Sequence, residues 1–388
     1  MLDPRVAGAG VTDFGEHPER TGRDLFAEAG LAALDDAGVP ADDVDALYFG
    51  NFMGELAEHQ GHQGPLMAEA VGVDAPATRF EAACASAGAG VRQAVKNLRT
   101  GEADVILVGG AERMTNIGTA AATDALAIAA DDLYEVRAGM TFPGAYGLMA
   151  RSYFAEYGGN REDLAYVAVK NHEHALVNEH AQLRKEITVE DALDAPMVAD
   201  PLGLYDACPI TDGAAAAVLV SDEYADEHGL TAPVSITGTG QGGDNLALQD
   251  RPHFDQTPAA DAATEEAYAD AGVGPADVDV AEVHDCFTIA EVLAVESLGL
   301  FKRGEGITAA REGVTTRHGE MPVNLSGGLK AKGHPVGATG VAQIATLTWL
   351  LDGSHPRADD VSDADVAVAH NAGGTAASAT VHVLEVEQ

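Results

Sequence analysis

The segment 324–340 concentrates residues suited to positioning one reactive histidine. Its sequence, N-L-S-G-G-L-K-A-K-G-H-P-V-G-A-T-G, places His334 between Gly333 and Pro335, directly before an apolar helical pattern over 341–351. Proline fixes φ and suits the first turn of a helix, while glycine lets a ligand approach the backbone closely. A histidine held in this way is typical of a positioned base. On this segment alone, a glycine-rich helix entry with a surface histidine is an equally good interpretation.

Cys84 has the surroundings of a nucleophile. It lies in R-F-E-A-A-C-A-S-A-G-A-G, between a short strand and a helix of small residues predicted to run from Cys84 to about Arg99. A cysteine in the first turn of a helix experiences the positive end of the helix dipole and unpaired N–H groups, and both lower the pKa of a thiol. We therefore expect a reactive thiolate here rather than a structural cysteine.

Further candidates follow predicted strands in the second half of the chain. His284 and Cys286 in V-H-D-C-F-T are two residues apart and point the same way if the strand continues, whereas Asp285 points elsewhere. The segment 370–374, H-N-A-G-G, ends the last long strand. Functional groups of α/β proteins gather at the carboxyl ends of strands. Cys208 lies on a turn before a strand, and we interpret it as structural.

These residues together predict covalent acyl transfer. A thiolate takes the acyl group, a histidine activates the thiol, and a second cysteine or histidine moves the proton, while histidines and backbone N–H groups stabilise the oxyanions. No metal site is expected, because the chain has no C-x-x-C and because His172 and His174, two apart on a helix predicted over 161–178, do not share a face. No G-x-G-x-x-G follows the first strand and no P-loop is present, so no nucleotide-binding fingerprint is seen.

Two repeated stretches indicate that the chain consists of two homologous α/β halves. A-G-V-P-A-D-D-V-D at 37–45 recurs as A-G-V-G-P-A-D-V-D at 271–279, and the predicted strand after Ala103 is repeated after Ala364. Alternating strands and helices favour mostly parallel sheets covered on both faces, in a five-layer α-β-α-β-α body. The predicted division is an N-terminal half of 1–112 plus 200–245, an inserted loop region of 113–199 and a C-terminal half of 246–388.

The composition limits the classes of partner. With 62 acidic against 22 basic residues, the net charge is −40, which is typical of a solvated acidic surface in a halophile and argues against nucleic acids and anionic membranes. Two of the few lysines, Lys330 and Lys332, flank His334, so we expect them, with Ser326, near a bound anion. Unpaired cysteines and the lack of a signal peptide or membrane-length apolar run predict a cytoplasmic protein.

The same stretches together resemble the thiolase superfamily over almost the whole chain and in the right order. E-A-A-C-A-S-A-G is similar to the family's nucleophile segment, which implies that Cys84 carries the acyl group. G-H-P-V-G-A-T-G is similar to its histidine motif, which implies that His334 deprotonates Cys84 and binds a thioester oxygen. The resemblance also implies the duplicated five-layer fold with an inserted loop region and a dimer at least.

Two departures from the commonest thiolase pattern resemble the sterol-carrier-protein-like and archaeal branch. His284-Asp285-Cys286-Phe287 replaces Asn-Glu-Ala-Phe, and His370-Asn371-Ala372-Gly373 replaces the C-terminal Cys-x-Gly. In that branch the resemblance assigns Cys286 to proton transfer at the α-carbon and His284 to an oxyanion hole. His370 is a further catalytic candidate, and whether it or Cys286 is the acid/base stays open. The backbone around Gly373, with Gly374 and Asn371 in support, would complete a second hole with the Cys84 N–H.

The implied reaction is a ping-pong acetyl-CoA C-acetyltransfer that gives 3-ketoacyl-CoA, with coenzyme A thioesters as substrates and no separate cofactor. Archaeal members often work with a small zinc-ribbon/OB-fold partner that helps to bind CoA. Two alternatives are weighed. A decarboxylating ketoacyl synthase shares the fold and uses one cysteine and two histidines, and a non-catalytic acyl-CoA-binding scaffold would need no intact site.

Overall fold

The computed structural model describes residues 3–387, and this part of the chain contains eleven β-strands and thirteen α-helices. The strands are β1 Arg5–Val11, β2 Ala46–Gly50, β3 Ala77–Phe80, β4 Val105–Glu112, β5 Met197–Ala199, β6 Leu202–Gly203, β7 Gly213–Val220, β8 Val234–Gly243, β9 Val280–Glu282, β10 Val366–Gly373 and β11 Ser378–Val386. The helices are α1 Gly22–Ala37, α2 Gly54–Ala57, α3 Gln63–Val71, α4 Ser86–Thr100, α5 Thr119–Leu126, α6 Phe142–Tyr157, α7 Arg161–Ala175, α8 Val189–Asp194, α9 Asp222–His228, α10 Pro258–Ala271, α11 Thr288–Ser297, α12 Gly306–Arg311 and α13 Thr339–Leu351. Short 3₁₀ turns connect several of them, and Gly328–Lys332 forms a π-helical turn.

Nine strands form one sheet in the order β3-β2-β4-β7-β1-β8-β11-β10-β9. The sheet has a seam, because β1 and β8 pair only through Arg5 and Ser235. On the two sides of this seam the strands mirror each other: β2–β4 and β9–β10 are parallel, and β4–β7 and β10–β11 are antiparallel. This correspondence is what a duplicated half predicts. The expectation of mostly parallel sheets is wrong, since each half-sheet also contains two antiparallel pairings.

The strand pairing moves the predicted boundary between the halves. The sequence division placed 200–245 entirely in the first half, but β8 is hydrogen-bonded along its length to β11. The second half-sheet therefore begins at Val234. A buried strand has the same apolar sequence pattern whichever half-sheet it joins. The sequence therefore does not show that β8 pairs with β11.

Three layers of helices enclose the two half-sheets. On the outer face of the first, α1 and α3 pack through residues such as Phe26, whose ring meets Phe49 edge-on at 5.0 Å. On the outer face of the second, α10 and α11 pack through Ala263 and Val295. Between them, one continuous core joins α4 and α13 to both half-sheets. The predicted α-β-α-β-α body is confirmed.

The two central helices come closest at their N-terminal ends. A Cβ atom added to Gly340 would lie 2.6 Å from Asn371 Oδ1 and against the backbone N of Gly88, so neither glycine position has room for a side chain. Only this absence of side chains lets both helices begin beside the same point, one from each half of the chain.

The segment between β4 and β7 forms the cover of the molecule. It holds α5–α8 with the β5–β6 hairpin, and its core, which includes Tyr153 and Leu164, packs on Leu293 of α11. The predicted helix over 161–178 ends at Ala175, because the chain turns there. Within residues 3–387 we find no helix with both the length and the apolar character that a membrane crossing requires.

Candidate active site

A cavity of about 530 Å³ lies under this cover and contains most of the predicted reactive residues. Cys84, Cys286 and His334 all contribute to its lining. The remaining wall is largely apolar, with Phe142 and Leu204 among its members. A desolvated cavity strengthens every electrostatic interaction inside it, so the polar groups that reach it matter disproportionately.

A strained turn presents Cys84 to the cavity. Ala83 has φ of 50°, a left-handed conformation that costs a non-glycine residue about 1 kcal/mol. Ser86 holds the turn, since its hydroxyl accepts from the Ala82 N–H at 3.0 Å and donates to the Ala83 carbonyl at 2.5 Å. Helix α4 begins at Ser86, so Cys84 precedes the helix rather than lying in its first turn.

The Cys84 thiol is not a resting thiolate. Burial raises its pKa to about 12, although the Gly374 N–H acts in the opposite direction. The expected lowering of this pKa is therefore wrong, because desolvation of the sulfur outweighs the helix end and the nearby N–H groups. Such a thiol becomes nucleophilic only as a base takes its proton.

His334 is arranged as that base. Its backbone N–H donates to Thr211 Oγ1 at 3.0 Å, and its Nδ1 lies 2.7 Å from Thr339 Oγ1. The Pro335 carbonyl lies 3.0 Å from the Thr339 hydroxyl and can accept its single hydrogen. We assign the ring hydrogen to Nδ1, because a donating Nδ1–H then satisfies the Thr339 oxygen and both contacts are hydrogen bonds. Nε2 is left with a free lone pair. Burial lowers the pKa of His334 to about 3, which keeps the imidazole neutral.

His284 has the opposite tautomer. Asn371 Nδ2 lies 3.0 Å from the Cys84 carbonyl oxygen and 3.1 Å from His284 Nδ1. The carbonyl requires a donor, so this atom is the amide nitrogen, and its second hydrogen goes to His284 Nδ1. Nε2 of His284 therefore carries the hydrogen, and it has no hydrogen-bond partner among residues 3–387. Burial, with His334 and His370 nearby, lowers the pKa of His284 well below its usual range.

The three side chains converge. The Cys84 sulfur and one ring nitrogen of each of His284 and His334 lie within 4.8 Å of one another, and the two rings meet edge-to-face at 5.0 Å. One cysteine and two histidines also form a zinc-type ligand set. However, Nδ1 of His284 already accepts a hydrogen bond and Nε2 is protonated, so this ring offers no lone pair. The cluster instead combines a nucleophile, a base and a neutral hydrogen-bond donor.

Asp285 does not line the cavity and turns away from its two neighbours, of which Cys286 lines the cavity and His284 converges on the Cys84 sulfur. Its carboxylate accepts from the Leu329 N–H at 2.6 Å and from the Lys330 N–H at 3.2 Å, and Asn171 Nδ2 donates to it at 2.7 Å. Burial and the neighbouring Glu291 raise its pKa to about 7. Asp285 thereby joins the strand end that carries His284 and Cys286 to the turn that leads to His334.

His370 lies behind His284 and not on the wall of the main cavity. Its Nδ1 accepts from the His284 backbone N–H at 3.4 Å, and it is 3% exposed, with burial lowering its pKa to about 4. Gly373 contacts Ala82 so closely that a Cβ atom would not fit, and Gly374, with φ of 61°, turns its N–H towards the Cys84 thiol. The structure thus brings Gly374 to the nucleophile and places His370 in support of His284.

Lys330, Lys332 and Ser326 do not line the main cavity. Lys330 and Lys332 are 2% and 3% exposed, and neither lines the main cavity. The Lys332 ammonium lies 3.6 Å from Glu282, the Ser326 hydroxyl donates to the same carboxylate at 2.5 Å, and Lys330 lies 5.8 Å from the centre of the Tyr205 ring. The structure therefore places these residues away from the main cavity, where they anchor the His334 loop to the protein interior instead of lying beside a substrate bound there.

Sequence reasoning missed two residues of the cavity. Cys208 lines it, and its backbone N–H donates to the Cys286 carbonyl at 3.0 Å. Tyr146 of α6 also lines it and donates its hydroxyl hydrogen to the Gly374 carbonyl at 2.9 Å. For Cys208, the C-P-I-T-D run between two candidate segments was an available signal. For Tyr146, no sequence pattern marks one tyrosine within an ordinary helix of the cover.

Comparison with known families covers both halves of the chain. Residues 5–223 match the family described as thiolase, N-terminal domain, and residues 240–386 match the thiolase C-terminal domain-like family. The interval between these two matches, 224–239, includes the start of β8 at Val234.

Known relatives match over the full length. An acetyl-CoA acetyltransferase of Methanothermobacter thermautotrophicus is 43% identical over 99% of each chain, and one of Methanocaldococcus jannaschii is 40% identical over 99% of each. Human sterol carrier protein 2 is 32% identical over 95% of this chain and 69% of its own.

Solved structures agree in fold. An Ltp2-ChsH2(DUF35) aldolase superposes with a TM-score of 0.82 at 27% identity, covering 100% of this chain and 98% of that one. The Acat5 thiolase of Ascaris suum, solved with coenzyme A, superposes with a TM-score of 0.75 at 19% identity, over 99% of this chain and all of that one. With both halves matched and the relatives spanning the whole length, the chain belongs to the thiolase family.

Proposed function

We propose that this protein is an acetyl-CoA C-acetyltransferase that condenses two acetyl-CoA molecules, or an acyl-CoA and an acetyl-CoA, to 3-ketoacyl-CoA and catalyses the reverse thiolysis. The observation that carries the proposal is the convergence of the Cys84 thiol with two histidines of opposite tautomer. Full-length relatives named acetyl-CoA acetyltransferase support the acetyl specificity.

In the first half-reaction the Cys84 sulfur attacks the thioester carbon of acetyl-CoA while His334 Nε2 accepts the thiol proton. The carbonyl π electrons move to the oxygen, where the backbone N–H groups of Cys84 and 373–374 stabilise them. Return of this electron pair expels the CoA thiolate, which takes the proton of the Cys286 thiol. The products are acetyl-Cys84, free CoA, a His334 imidazolium and a Cys286 thiolate.

In the second half-reaction the Cys286 thiolate removes a proton from the methyl group of a second acetyl-CoA. The resulting enolate oxygen accepts hydrogen bonds from His284 Nε2–H and from the His334 imidazolium, which both face the site. The enolate carbon attacks the acetyl carbon on Cys84, and the Cys84 thiolate leaves and recovers its proton from His334. All four groups return to their starting protonation states.

The test is intact-protein mass after incubation with acetyl-CoA, with wild type beside Cys84→Ala. We expect the wild type to gain one acetyl group that free CoA discharges, and the variant to gain none. Cys208→Ala is the matched control, because it removes another cavity thiol without a place in the proposed steps, and it should still be acetylated. Acetylation that persists in Cys84→Ala, or no acetylation of the wild type under any condition, would contradict the proposal.

A decarboxylating synthase remains the second candidate, because a cysteine with two histidines is also the set that such an enzyme uses. The position of Cys286 on the cavity wall favours the thiolase. Loss of a carboxylate generates the carbanion without a base, so a synthase does not need this thiol. Full condensation activity in Cys286→Ala would therefore favour the synthase. A non-catalytic scaffold would show no covalent labelling at Cys84.

A small zinc-ribbon/OB-fold partner that assists CoA binding is part of the proposal. Two findings support it: Lys330 and Lys332 are buried away from the cavity, and a neighbouring structure is an aldolase assembled with a DUF35 protein. Acetylation would be measured with and without such a protein. A rate that is unchanged on its addition, at saturating and at limiting acetyl-CoA, would remove the partner from the proposal.

We also propose that the protein is a cytoplasmic, halophilic homodimer that acts in lipid metabolism. The net charge of −40 supports halophily, since salt screens the repulsion between carboxylates. Thermal unfolding should then shift to higher temperature between about 0.1 M and about 3 M KCl, where the Debye length becomes shorter than charge separations. Light scattering in the same buffers tests the dimer.

A further inference from the structure

Tyr146 is a hydroxyl-bearing residue of the cover region that lines the cavity beside the reactive groups. It is 3% exposed, it lines the cavity beside Cys286, and its ring stacks on Phe287 with centroids 4.7 Å apart. Its hydroxyl donates to the Gly374 carbonyl at 2.9 Å, and Tyr146 packs in the same side-chain cluster as Cys286 and lines the same cavity. The Tyr146 hydroxyl also opposes the rise that burial causes in the pKa of Cys286. The stacked ring fixes the position of the oxygen, while the hydrogen can still rotate about the C–O bond.

One tyrosine therefore connects the two cysteines of the proposed reaction. On one side, Gly374 turns its N–H to the Cys84 sulfur and its carbonyl to Tyr146. On the other side, Tyr146 and Cys286 belong to one packed cluster and line the same cavity. Arg251 fixes this arrangement by donating to the Thr375 carbonyl at 2.5 Å, next to Gly374 in the chain.

We propose that Tyr146 is the positioning residue of Cys286, and that its hydroxyl hydrogen turns from the Gly374 carbonyl to the Cys286 sulfur when that sulfur becomes a thiolate. The inference rests on the proposed thiolase function. While Cys286 is a thiol, its S–H can donate to the tyrosine oxygen and the hydroxyl can donate to Gly374. Once the proton has passed to the departing CoA sulfur, the electron pair stays on Cys286 and accepts the hydroxyl hydrogen.

The hydroxyl hydrogen turns from the Gly374 carbonyl to the Cys286 sulfur because the thiolate is charged and the carbonyl is neutral. A hydrogen bond to an ionised acceptor is roughly twice as strong as one between neutral groups, so the thiolate competes successfully with the Gly374 carbonyl. Support of this kind is needed, because burial raises the pKa of Cys286 well above its usual range and the groups nearest to it are acidic: Cys84, Cys208 and Asp285. Arg251 is the cation that acts on Tyr146. The hydroxyl is thus the neutral donor that lets Cys286 hold a negative charge between the half-reactions.

The experiment compares Tyr146→Phe with wild type in each half-reaction. Acetylation of Cys84, followed by quenched intact mass, should stay within about threefold, because a CoA thiolate is a good leaving group with a pKa near that of an ordinary thiol. Condensation should fall roughly 10- to 100-fold, the range of a general base held less effectively. The primary isotope effect with methyl-deuterated acetyl-CoA should increase. Tyr157→Phe is the matched control on the same helix, outside the cavity lining, and should leave all three readouts unchanged.

A double-variant cycle separates positioning from general packing. If Tyr146 acts through Cys286, adding Tyr146→Phe to Cys286→Ala should cause no further loss of condensation. Multiplied losses, equal losses in both half-reactions, or unchanged condensation would each overturn the inference. Should Tyr146→Phe fail to fold, 3-fluorotyrosine at position 146 replaces it. Its more acidic hydroxyl is a stronger donor to the Cys286 thiolate, so the rise of the condensation rate with pH should shift to lower pH. Acetylation of the wild type tests the proposed thiolase function, whereas the Tyr146 variants test the role of Tyr146. A failure of one proposal can therefore be distinguished from a failure of the other.

Discussion

Asn371 donates one amide hydrogen to the Cys84 carbonyl and the other to His284 Nδ1, at 3.0 and 3.1 Å. A single side chain therefore fixes the backbone of the nucleophile and the tautomer of the histidine beside it. This relationship joins the two halves of the chain at their most reactive point.

The Asn371→Asp substitution should reverse the tautomer of His284. A carboxylate accepts the Nδ1 hydrogen, so Nε2 loses its hydrogen and can no longer stabilise an oxyanion. Loss of one such donor lowers kcat by about 10²- to 10³-fold. Steady-state condensation measures the loss, and Asn245→Asp, the same change at an exposed residue, is the control. A fall below tenfold would show that His284 Nε2–H is not an oxyanion donor.

The pH dependence of Cys84 acetylation should lack the acid limb of an ordinary histidine. Because burial lowers the pKa of His334 to about 3, its imidazole gains a proton only well below the usual range, and the base is lost only there. The single-turnover rate should therefore be flat from about pH 8 to about pH 5, instead of halving near 6.5. A limb near pH 6.5 in wild type that is missing in His334→Asn would contradict this prediction.

Asp285→Asn should destabilise the fold and slow catalysis together. The carboxylate accepts three hydrogen bonds, and an amide would place its own hydrogens against one or more of those donors. The expected loss in the free energy of unfolding is about 1–3 kcal/mol, measured by denaturant titration, with kcat lowered because the His334 loop loses its anchor. Asp277→Asn provides the comparison, since Asp277 accepts from the Gly274 N–H at 2.8 Å on an exposed turn. Unchanged kcat in Asp285→Asn would mean that the loop is held by other contacts.

Gly340→Ala should cost stability and activity although alanine is the better helix former. The added methyl group would press on Asn371 Oδ1 and on the backbone of Gly88. Overpacking of this kind costs about 1–3 kcal/mol, more than the gain of about 1 kcal/mol in helix propensity. Among residues 3–387, the added methyl group of Gly15→Ala would meet no atom within 4 Å, so this control should leave thermal unfolding and kcat unchanged. A stabilised, active Gly340→Ala enzyme would show that the N-terminal ends of α4 and α13 can move apart to admit the methyl group.

Local patterns were sufficient for much of the fold and the site. The repeated stretches predicted the duplication and the five layers. The motifs around Cys84 and His334 predicted the thiolase family, and the structure brings Cys84, His284 and His334 together. These features depend on contacts between neighbours in sequence, or on motifs whose spacing is itself the signal. The alternation of His284, Asp285 and Cys286 also separated Cys286 on the cavity wall and His284 beside the Cys84 sulfur from Asp285, which anchors a loop.

Properties set by distant contacts could not be predicted. The pKa of Cys84 depends on how completely the cover excludes water, and Lys330 and Lys332 are buried because Tyr205 and Glu282 arrive from elsewhere in the chain. The membership of β8 in the second half-sheet depends on its pairing with β11. Each error arose where a residue was judged by its neighbours in sequence and the decisive neighbour was far away.

The positions of the charged side chains allow the surface charge of the protein and the chemistry of its active site to vary independently. The residues closest to Cys84 in the site are neutral histidines, an amide and backbone N–H groups, and the loop lysines face the interior. Glu81 is an exception, because its exposed carboxylate accepts from the Ala83 N–H at 2.7 Å and contributes to the raised pKa of Cys84. Acidic residues elsewhere on the surface can accumulate or disappear without altering the groups that handle the acyl intermediate. Adaptation to a new ionic environment can thus proceed by many surface substitutions while the chemistry is inherited unchanged.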